Sequence, residues 1–146
     1  MSEEAITRQL VVFSLGEEEY ALPIADVHEI IRYTEPRSVA SSVDWVRGVI
    51  SLRGKIVPVY DLASRLGCAR CEDVSEQKIV IVEAAAQLAG VVVDDVDEVI
   101  TVEADQLERL PAADEAAIDS IVKLDDRLIV LLSPAGLFGL SAEIAA

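Results

Sequence analysis

Leu10-Val11-Val12-Phe13 returns further along the chain as Ile79-Val80-Ile81-Val82, and this internal echo constrains the fold more than any other feature. Held at the same offset of 69 residues, Ala21 to Ile31 falls on Gly90 to Ile100, and Asp26, Val27, Glu29 and Ile31 each meet their own kind. Further on the offset becomes 72, so that Val49 to Val59 falls on Ile121 to Leu131. Few identities survive there, but the apolar and turn positions do. A three-residue insertion in the second half accounts for the shift. Two copies are too few for a solenoid, which needs at least three units. The expectation is therefore one domain, 1–146, built from two related lobes, with the copies at about 8–67 and 77–138.

Each copy opens with an apolar run, a turn and a second apolar run. Gln9 to Leu15, Gly16-Glu17-Glu18-Glu19 and Tyr20 to Ile24 make this signature in the first copy, and Lys78 to Val82 followed by Leu88 to Val93 in the second. Each copy then has a hairpin around a two-residue turn. Arg53-Gly54 separates Val46–Leu52 from Lys55–Tyr60, and Asp125-Asp126 separates Ile118–Leu124 from Arg127–Leu132. Gly and Asp tolerate the positive φ of such turns. Short β-branched strands with regular turns predict an all-β fold of small barrels or a sandwich. Helix is minor. Asp61 to Gly67 has an N-cap Asp, apolar positions four apart and a terminal Gly, and Pro134 to Leu137 is its counterpart. Asp26 to Ile31 reads as a single helical turn. Pro36 to Asp44 and Gln106 to Ala117 read as longer connections, and Gly67 to Glu76 as the linker between copies.

Composition narrows the function. The formal net charge is −15. Nucleic acid and anionic membrane surfaces, which demand clustered Lys and Arg, are excluded as partners. An acidic chain with only Lys55, Lys78 and Lys123 as lysines suggests a high-salt cytoplasm. Met1-Ser2-Glu3-Glu4 is acidic where a signal peptide is basic, and the uncharged run Ala84 to Val93 contains no span-length segment, so a cytoplasmic location without membrane insertion is expected.

Candidate chemistry is sparse. His28 is the only histidine, which removes His-based nucleophilic catalysis and His-cluster metal sites. Cys68-Ala69-Arg70-Cys71 has C-x-x-C spacing, but it follows a helix and lacks a second pair of ligands, so thiol redox or metal chemistry is the lesser reading. Asp94-Asp95, Asp97-Glu98 and Asp125-Asp126 read as solvated faces. No enzyme activity and no cofactor are expected. Two charges stand out instead. Glu29 and Arg53 each lie between apolar residues, and long charged side chains are rarely buried unless paired. A Glu29–Arg53 ion pair holding a short helix against a hairpin turn is expected, with two unconnected surface charges as the alternative.

These residues fall in a characteristic order: Phe13-x-Leu15-Gly16, Tyr20-Ala21-Leu22-Pro23-Ile24, Val27-x-Glu29-Ile30, Val46-Arg47-Gly48-Val49-Ile50-Ser51-Leu52-Arg53-Gly54, Pro58-Val59-Tyr60-Asp61-Leu62. In the second half come Gly90-x-x-Val93-Asp94-x-Val96 and Leu124 to Leu132. From about residue 8 to 138 the chain resembles the CheW family of chemotaxis coupling proteins, with Ser51 where the family usually has Asn. The resemblance implies two intertwined five-stranded SH3-like barrels and a non-catalytic scaffold. It also implies a groove between lobes for the cytoplasmic hairpin tip of a chemoreceptor, and outer faces that dock on the regulatory domain of a CheA-type histidine kinase at membrane-associated receptor arrays. By matched motif, Val27, Glu29, Ile30 and Arg53 lie at the receptor groove and Val93, Asp94 and Val96 supply its other wall. Gly48, Gly54, Pro58 and Asp61 are architectural. A non-flagellar, pilus-type pathway is the close variant.

Overall fold

The computed structural model describes residues 7–39, 45–66, 76–84, 86–109 and 117–138. The first copy supplies β1 (Thr7–Leu15), β2 (Glu18–Pro23), β3 (Val27–Arg32), β4 (Val46–Leu52), β5 (Lys55–Asp61) and the short helix α1 (Leu62–Leu66). The second supplies β6 (Lys78–Ala84), β7 (Gln87–Val93), β8 (Asp95–Glu103), β9 (Leu107–Glu108), β10 (Ile118–Leu124), β11 (Arg127–Leu132) and α2 (Pro134–Phe138).

The copies exchange strands. One sheet runs β8-β1-β2-β11-β10-β9 and the other β3-β6-β7-β5-β4. Each barrel thus combines the opening hairpin of one copy with the later strands of the other. The registers keep the repeat. Val11 faces Val99 in one sheet as Val80 faces Ile30 in the other. Leu131 lies parallel to Ala21 as Val59 does to Gly90. Even the irregularities match. The ladder shifts opposite Asp97 and at His28, and again at Asp119 and at Arg47. Each sheet has five long strands. Two-residue β9 adds a sixth to the first, and at the same place in the second stands the single bridge Arg37–Val49.

Three apolar clusters follow from the alternation of each strand. Leu10, Val12, Ala21, Val122, Ile129 and Leu131 fill one barrel, and their repeat equivalents Ile79, Ile81, Val57, Val59 and Ile50 fill the other. The opposite faces of the opening hairpins meet in a central cluster: Phe13 and Leu22 pack with Val80, Val82 and Val91, closed by Leu62 of α1 and Leu137 of α2. Each such side chain contributes about 1.5–3 kcal/mol on burial, so the central cluster joins the two barrels into one apolar core.

Turn chemistry explains the hairpins. Arg53 (φ 51°) and Gly54 (φ 82°) make the β4–β5 turn, and Asp125 (φ 55°) occupies Arg53's place in the β10–β11 turn. Gly48 has φ 151°, and a Cβ there would stand 2.2 Å from the Arg37 carbonyl oxygen, so the Arg37–Val49 bridge requires glycine. Pro58 lies opposite Val49, whose own N–H and C=O bond to Arg37, so this pair asks nothing of the proline nitrogen. The buried Asp61 caps α1 by accepting from the Ser64 N–H at 3.2 Å. Ser133 takes the same role at α2, accepting from the Gly136 N–H at 3.3 Å.

One expectation is corrected. Asp26 to Ile31 is not a helical turn. A 3₁₀ turn covers Ile24–Asp26, and Val27–Arg32 is strand β3 with strictly alternating exposure. The period-2 alternation of Val27, Glu29 and Ile31 against His28, Ile30 and Arg32 decides for strand.

Candidate functional site

Strand β3 is an edge of its sheet and β4 is the other edge. Alternation along β3 turns Val27, Glu29 and Ile31 inward and leaves Ile30 in water. The β4–β5 turn carries Arg53 toward β3, and its Nη1 donates a hydrogen bond to Glu29 Oε1. The pair therefore spans the seam between the two edges. The Glu29 carboxyl is held below its ordinary range by the hydrogen bond from Arg53, against an opposing push from partial desolvation. Arg53 is correspondingly raised by Glu29. Along the same seam runs a cleft of about 520 Å³ whose walls include Ile31, Val49, Leu52 and Ile56.

Behind this seam lies a partly buried polar chain. Arg47 donates to the Tyr33 hydroxyl at 2.9 Å and to Asp61 Oδ2 at 3.4 Å, and the Tyr33 hydroxyl donates to Glu35 at 3.0 Å. Burial, then the bond to Glu35, push the Tyr33 hydroxyl above its ordinary value. The network ties the cleft wall to the cap of α1, and it has no counterpart in the second copy, where Asp119, Val102 and Ser133 stand at the equivalent places.

The remaining sequence candidates are distributed. Val27 and Val96 are half-buried and pack on the central cluster. Val93 is fully buried within that cluster and offers no surface. Asp94 accepts from the Gly16 N–H at 2.6 Å and from Gln77 Nε2 at 3.2 Å, fastening the β1–β2 turn to the start of β6. Glu29, Ile30 and Arg53 gather at the seam of one barrel, whereas Val93, Asp94 and Val96 stand at the β7–β8 junction. Glu29 stands on a strand, not on the short helix expected for it. Cys68 and Cys71 lie outside the described residues. Among the described residues no group of His, Cys, Asp and Glu has the arrangement of a metal site, and no helix is long and apolar enough to cross a membrane.

Sequence reasoning missed a second seam pair. Arg127 of β11 forks across Glu19 of β2, with Nε–Oε1 at 3.1 Å and Nη2–Oε2 at 2.9 Å, and also donates to Glu98 of β8 at 2.7 Å. Glu98 is the repeat equivalent of Glu29, so the repeat itself held the signal. It also missed the matched apolar residues in water: Ile56 at 68% and Leu128 at 67% exposure occupy equivalent places, as do Ile30 at 41% and Val99 at 53%.

A CheW-like domain family model matches residues 9–141. The chain belongs to the CheW family. It is 31% identical to chemotaxis protein CheW of Bacillus subtilis over 128 residues, covering 85% of this chain and 82% of the relative. It is 32% identical to chemotaxis protein CheW of Thermotoga maritima, covering 85% and 83%. The crystal structure of the scaffolding protein TtCheW from Thermoanaerobacter tengcongensis superposes with a TM-score of 0.84 at 36% identity, covering 94% of this chain and 92% of that one. The two exchanged barrels are thus the two SH3-like subdomains of the CheW fold, and the chain is a chemotaxis coupling scaffold of a family that is non-catalytic.

Proposed function

We propose that this CheW-family chain joins the cytoplasmic hairpin tip of a chemoreceptor to the regulatory domain of a CheA-type histidine kinase, in the cytoplasm at receptor arrays. The observation that carries the reading is the Glu29–Arg53 pair, set at a barrel seam beside the exposed Ile30 and a cleft with apolar walls. A helical hairpin tip is recognised by an apolar groove with a few charges that fix register. Glu29, Ile30 and Arg53, with Val27 on the same strand, form the contact surface, and Val93, Asp94 and Val96 hold the β7–β8 junction. The kinase domain docks on the outer barrel faces, where Leu128 stands in water, while its repeat equivalent Ile56 belongs to the receptor cleft. Individual contacts are moderate, and array order comes from their multiplicity.

Titration of this protein against a receptor cytoplasmic hairpin and against a kinase regulatory domain tests the proposal. Both fragments bind wild type, and Arg53→Glu weakens the receptor while the far-UV spectrum is unchanged. Binding of neither fragment overturns it. A pilus-type pathway is the second reading, supported by 31% identity to protein PilI of Pseudomonas aeruginosa over 87 residues, 58% of this chain and 47% of the relative. Affinity for a pilus-system kinase domain above that for a flagellar one selects it. The thiol alternative is removed if Cys68→Ser/Cys71→Ser couples as well as wild type.

A further inference from the structure

The repeat serves as an internal control, because its two copies present the same hairpin tip with different charge. The β4–β5 tip reads Arg53-Gly54-Lys55-Ile56, and the β10–β11 tip reads Asp125-Asp126-Arg127-Leu128. The closing apolar residue stands mostly in water in both. The charges before it do not match. Asp125 takes the place of Arg53, and Arg127, the equivalent of Lys55, is held by Glu19 and Glu98. The contrast continues along the strands. On β3 Glu29 is balanced by Arg32, whereas the equivalent strand β8 carries Asp95, Asp97, Glu98 and Glu103 with no basic residue.

The cleft beside the first tip has apolar walls and a basic rim. Arg37 lines it, Lys55 is the cross-strand partner of the lining residue Leu52, and the Arg53 side chain is 70% exposed. Arg37 and Lys55 are exposed and have no ion-pair partner among the described residues. The nearby carboxylates already hold partners: Glu29 accepts from Arg53, and Glu35 accepts from the Tyr33 hydroxyl. The rim therefore keeps free positive charge in a chain of net charge −15.

On the reading of this cleft as the receptor site, we infer that its occupant is an amphipathic helical segment whose apolar stripe is flanked by carboxylates, and that the equivalent face of the other barrel turns the same segment away. Apolar side chains of the segment enter between Ile31, Val49, Leu52 and Ile56, and its carboxylates meet Arg37 and Lys55 at the rim. A hairpin tip built alike on both barrels does not sort partners by shape. Charge does: like charges set against each other cost affinity, and unlike ones fix orientation. At ~150 mM salt the Debye length is ~8 Å, so the distant acidic residues are screened and the rim decides.

Two helical peptides with the same leucine stripe, one flanked by Glu and one by Lys, are titrated into the full chain at ~150 mM KCl, and a receptor cytoplasmic hairpin is titrated in parallel. Backbone amide shifts of Ile31, Val49 and Leu52 report the cleft, and those of Asp125, Asp126 and Leu128 report the other tip. The Glu peptide and the hairpin move the cleft amides, and the Lys peptide does not. Arg37→Gln and Lys55→Gln each weaken the Glu peptide and the hairpin by about threefold, and the double variant by about tenfold. Arg8→Gln, on the other barrel, binds both as wild type does. Cleft binding by the Glu peptide without the hairpin upholds the chemistry of the cleft and overturns the receptor reading alone. A hairpin that binds the double variant as tightly as wild type, a Lys peptide that matches the Glu peptide at the cleft, or a Glu peptide that moves both tips alike overturns the inference and leaves the receptor reading standing. Cleft amides that stay in place with all three probes overturn both.

Discussion

Glu29 of β3 and Arg53 of the β4–β5 turn are ion-paired across a seam that, among the described residues, is joined in the backbone by the bridge Arg37–Val49. The other barrel closes the same seam differently, with the β9 ladder and Arg127 forked between Glu19 and Glu98. The two seams are equivalent by repeat and unequal in strength. The seam joined by Glu29–Arg53 flanks a cleft with apolar walls, and a scaffold needs its contact surface where the backbone has not already satisfied itself. Arg53 is mostly in water and Glu29 partly covered, and such exposed ion pairs stabilise little, so the consequence of the pair is geometry: it sets the hairpin tip against β3.

The pH dependence of this pair has a definite sign. Glu29 is depressed in the folded chain, chiefly by the bond from Arg53. A depressed carboxylate stabilises above its unfolded value and loses that contribution as pH falls through the folded one. The stability difference between wild type and Glu29→Gln is therefore small and positive at pH 7 and vanishes on acidification below the depressed value. Urea unfolding of both proteins across pH 3–7 measures it. A difference that grows toward low pH contradicts the assignment.

Asp97 runs the other way. Burial, then the neighbouring Asp95, Glu19 and Glu98, raise its carboxyl above the ordinary value, with Arg127 opposing. A raised carboxylate is a cost at neutral pH, and the cost is relieved as protonation sets in. Asp97→Asn is expected to raise Tm at pH 7, and the gain shrinks as pH falls through the raised value. Arg127→Gln lowers Tm, more at ~10 mM salt than at ~150 mM, because the Debye length falls from ~30 Å to ~8 Å. Thermal unfolding of the two variants at two salt concentrations checks both signs.

Much of this was legible in the sequence, and the rest was hidden for identifiable reasons. Arg53-Gly54 and Asp125-Asp126 gave the late hairpins, and Asp61 the start of α1, because turn and cap chemistry is local. Strand β3 escaped because it is short and mixes His28, Glu29 and Arg32 among its apolar residues, and β8 because the bulge at Asp97 breaks its alternation and acidic residues dilute the β-branched signal. The residue pattern alone does not give the strand exchange, because order along the chain does not say whether Val11 faces Ile30 of its own copy or Val99 of the other; it was legible only through the resemblance, which implies intertwined barrels. The seam pair Arg127–Glu98 escaped although Glu98 stands at the repeat position of Glu29: the arginine moved from the turn residue to the first residue after it.

Strand exchange makes the halves interdependent. Neither copy holds a complete barrel, and the central cluster draws Phe13 from one and Val80 from the other. Residues 1–76 and 77–146 made separately are expected to show little cooperative structure, and their mixture to regain the wild-type far-UV spectrum and a single unfolding transition. Independent cooperative folding of either fragment refutes the interdependence.

Buried and exposed apolar residues should separate by kind. Phe13 is fully buried at the junction of the barrels, and Phe13→Ala costs about 3–5 kcal/mol. Ile56 and Leu128 are two-thirds exposed, so Ile56→Ser and Leu128→Ser stay within about 0.5 kcal/mol of wild type. If Leu128 belongs to the kinase-docking face and Ile56 to the receptor cleft, Leu128→Ser loses affinity for the regulatory domain and Ile56→Ser for the receptor hairpin, while both keep the fold. Unfolding curves and a binding titration on the same samples separate the two effects.

Salt acts on the whole chain with opposing signs. Screening weakens the pairs Lys123–Glu108, Lys78–Asp95 and Arg127–Glu98, all partly in water. It also relieves repulsion among 27 acidic residues against 12 basic ones. Exposed pairs contribute about 0–1 kcal/mol each, whereas the net charge of −15 acts on every acidic group at once. Repulsion dominates, so stability rises with KCl from ~10 mM to ~150 mM, over which the Debye length contracts to ~8 Å. Adaptation to a high-salt cytoplasm requires more: stability must keep rising well beyond that point, where screening is already short-ranged and only ion and water binding at the acidic surface can add to it. Urea midpoints measured against KCl up to molar concentrations decide between the two. A plateau above ~0.15 M identifies ordinary charge screening, and a continued rise identifies a surface built for salt.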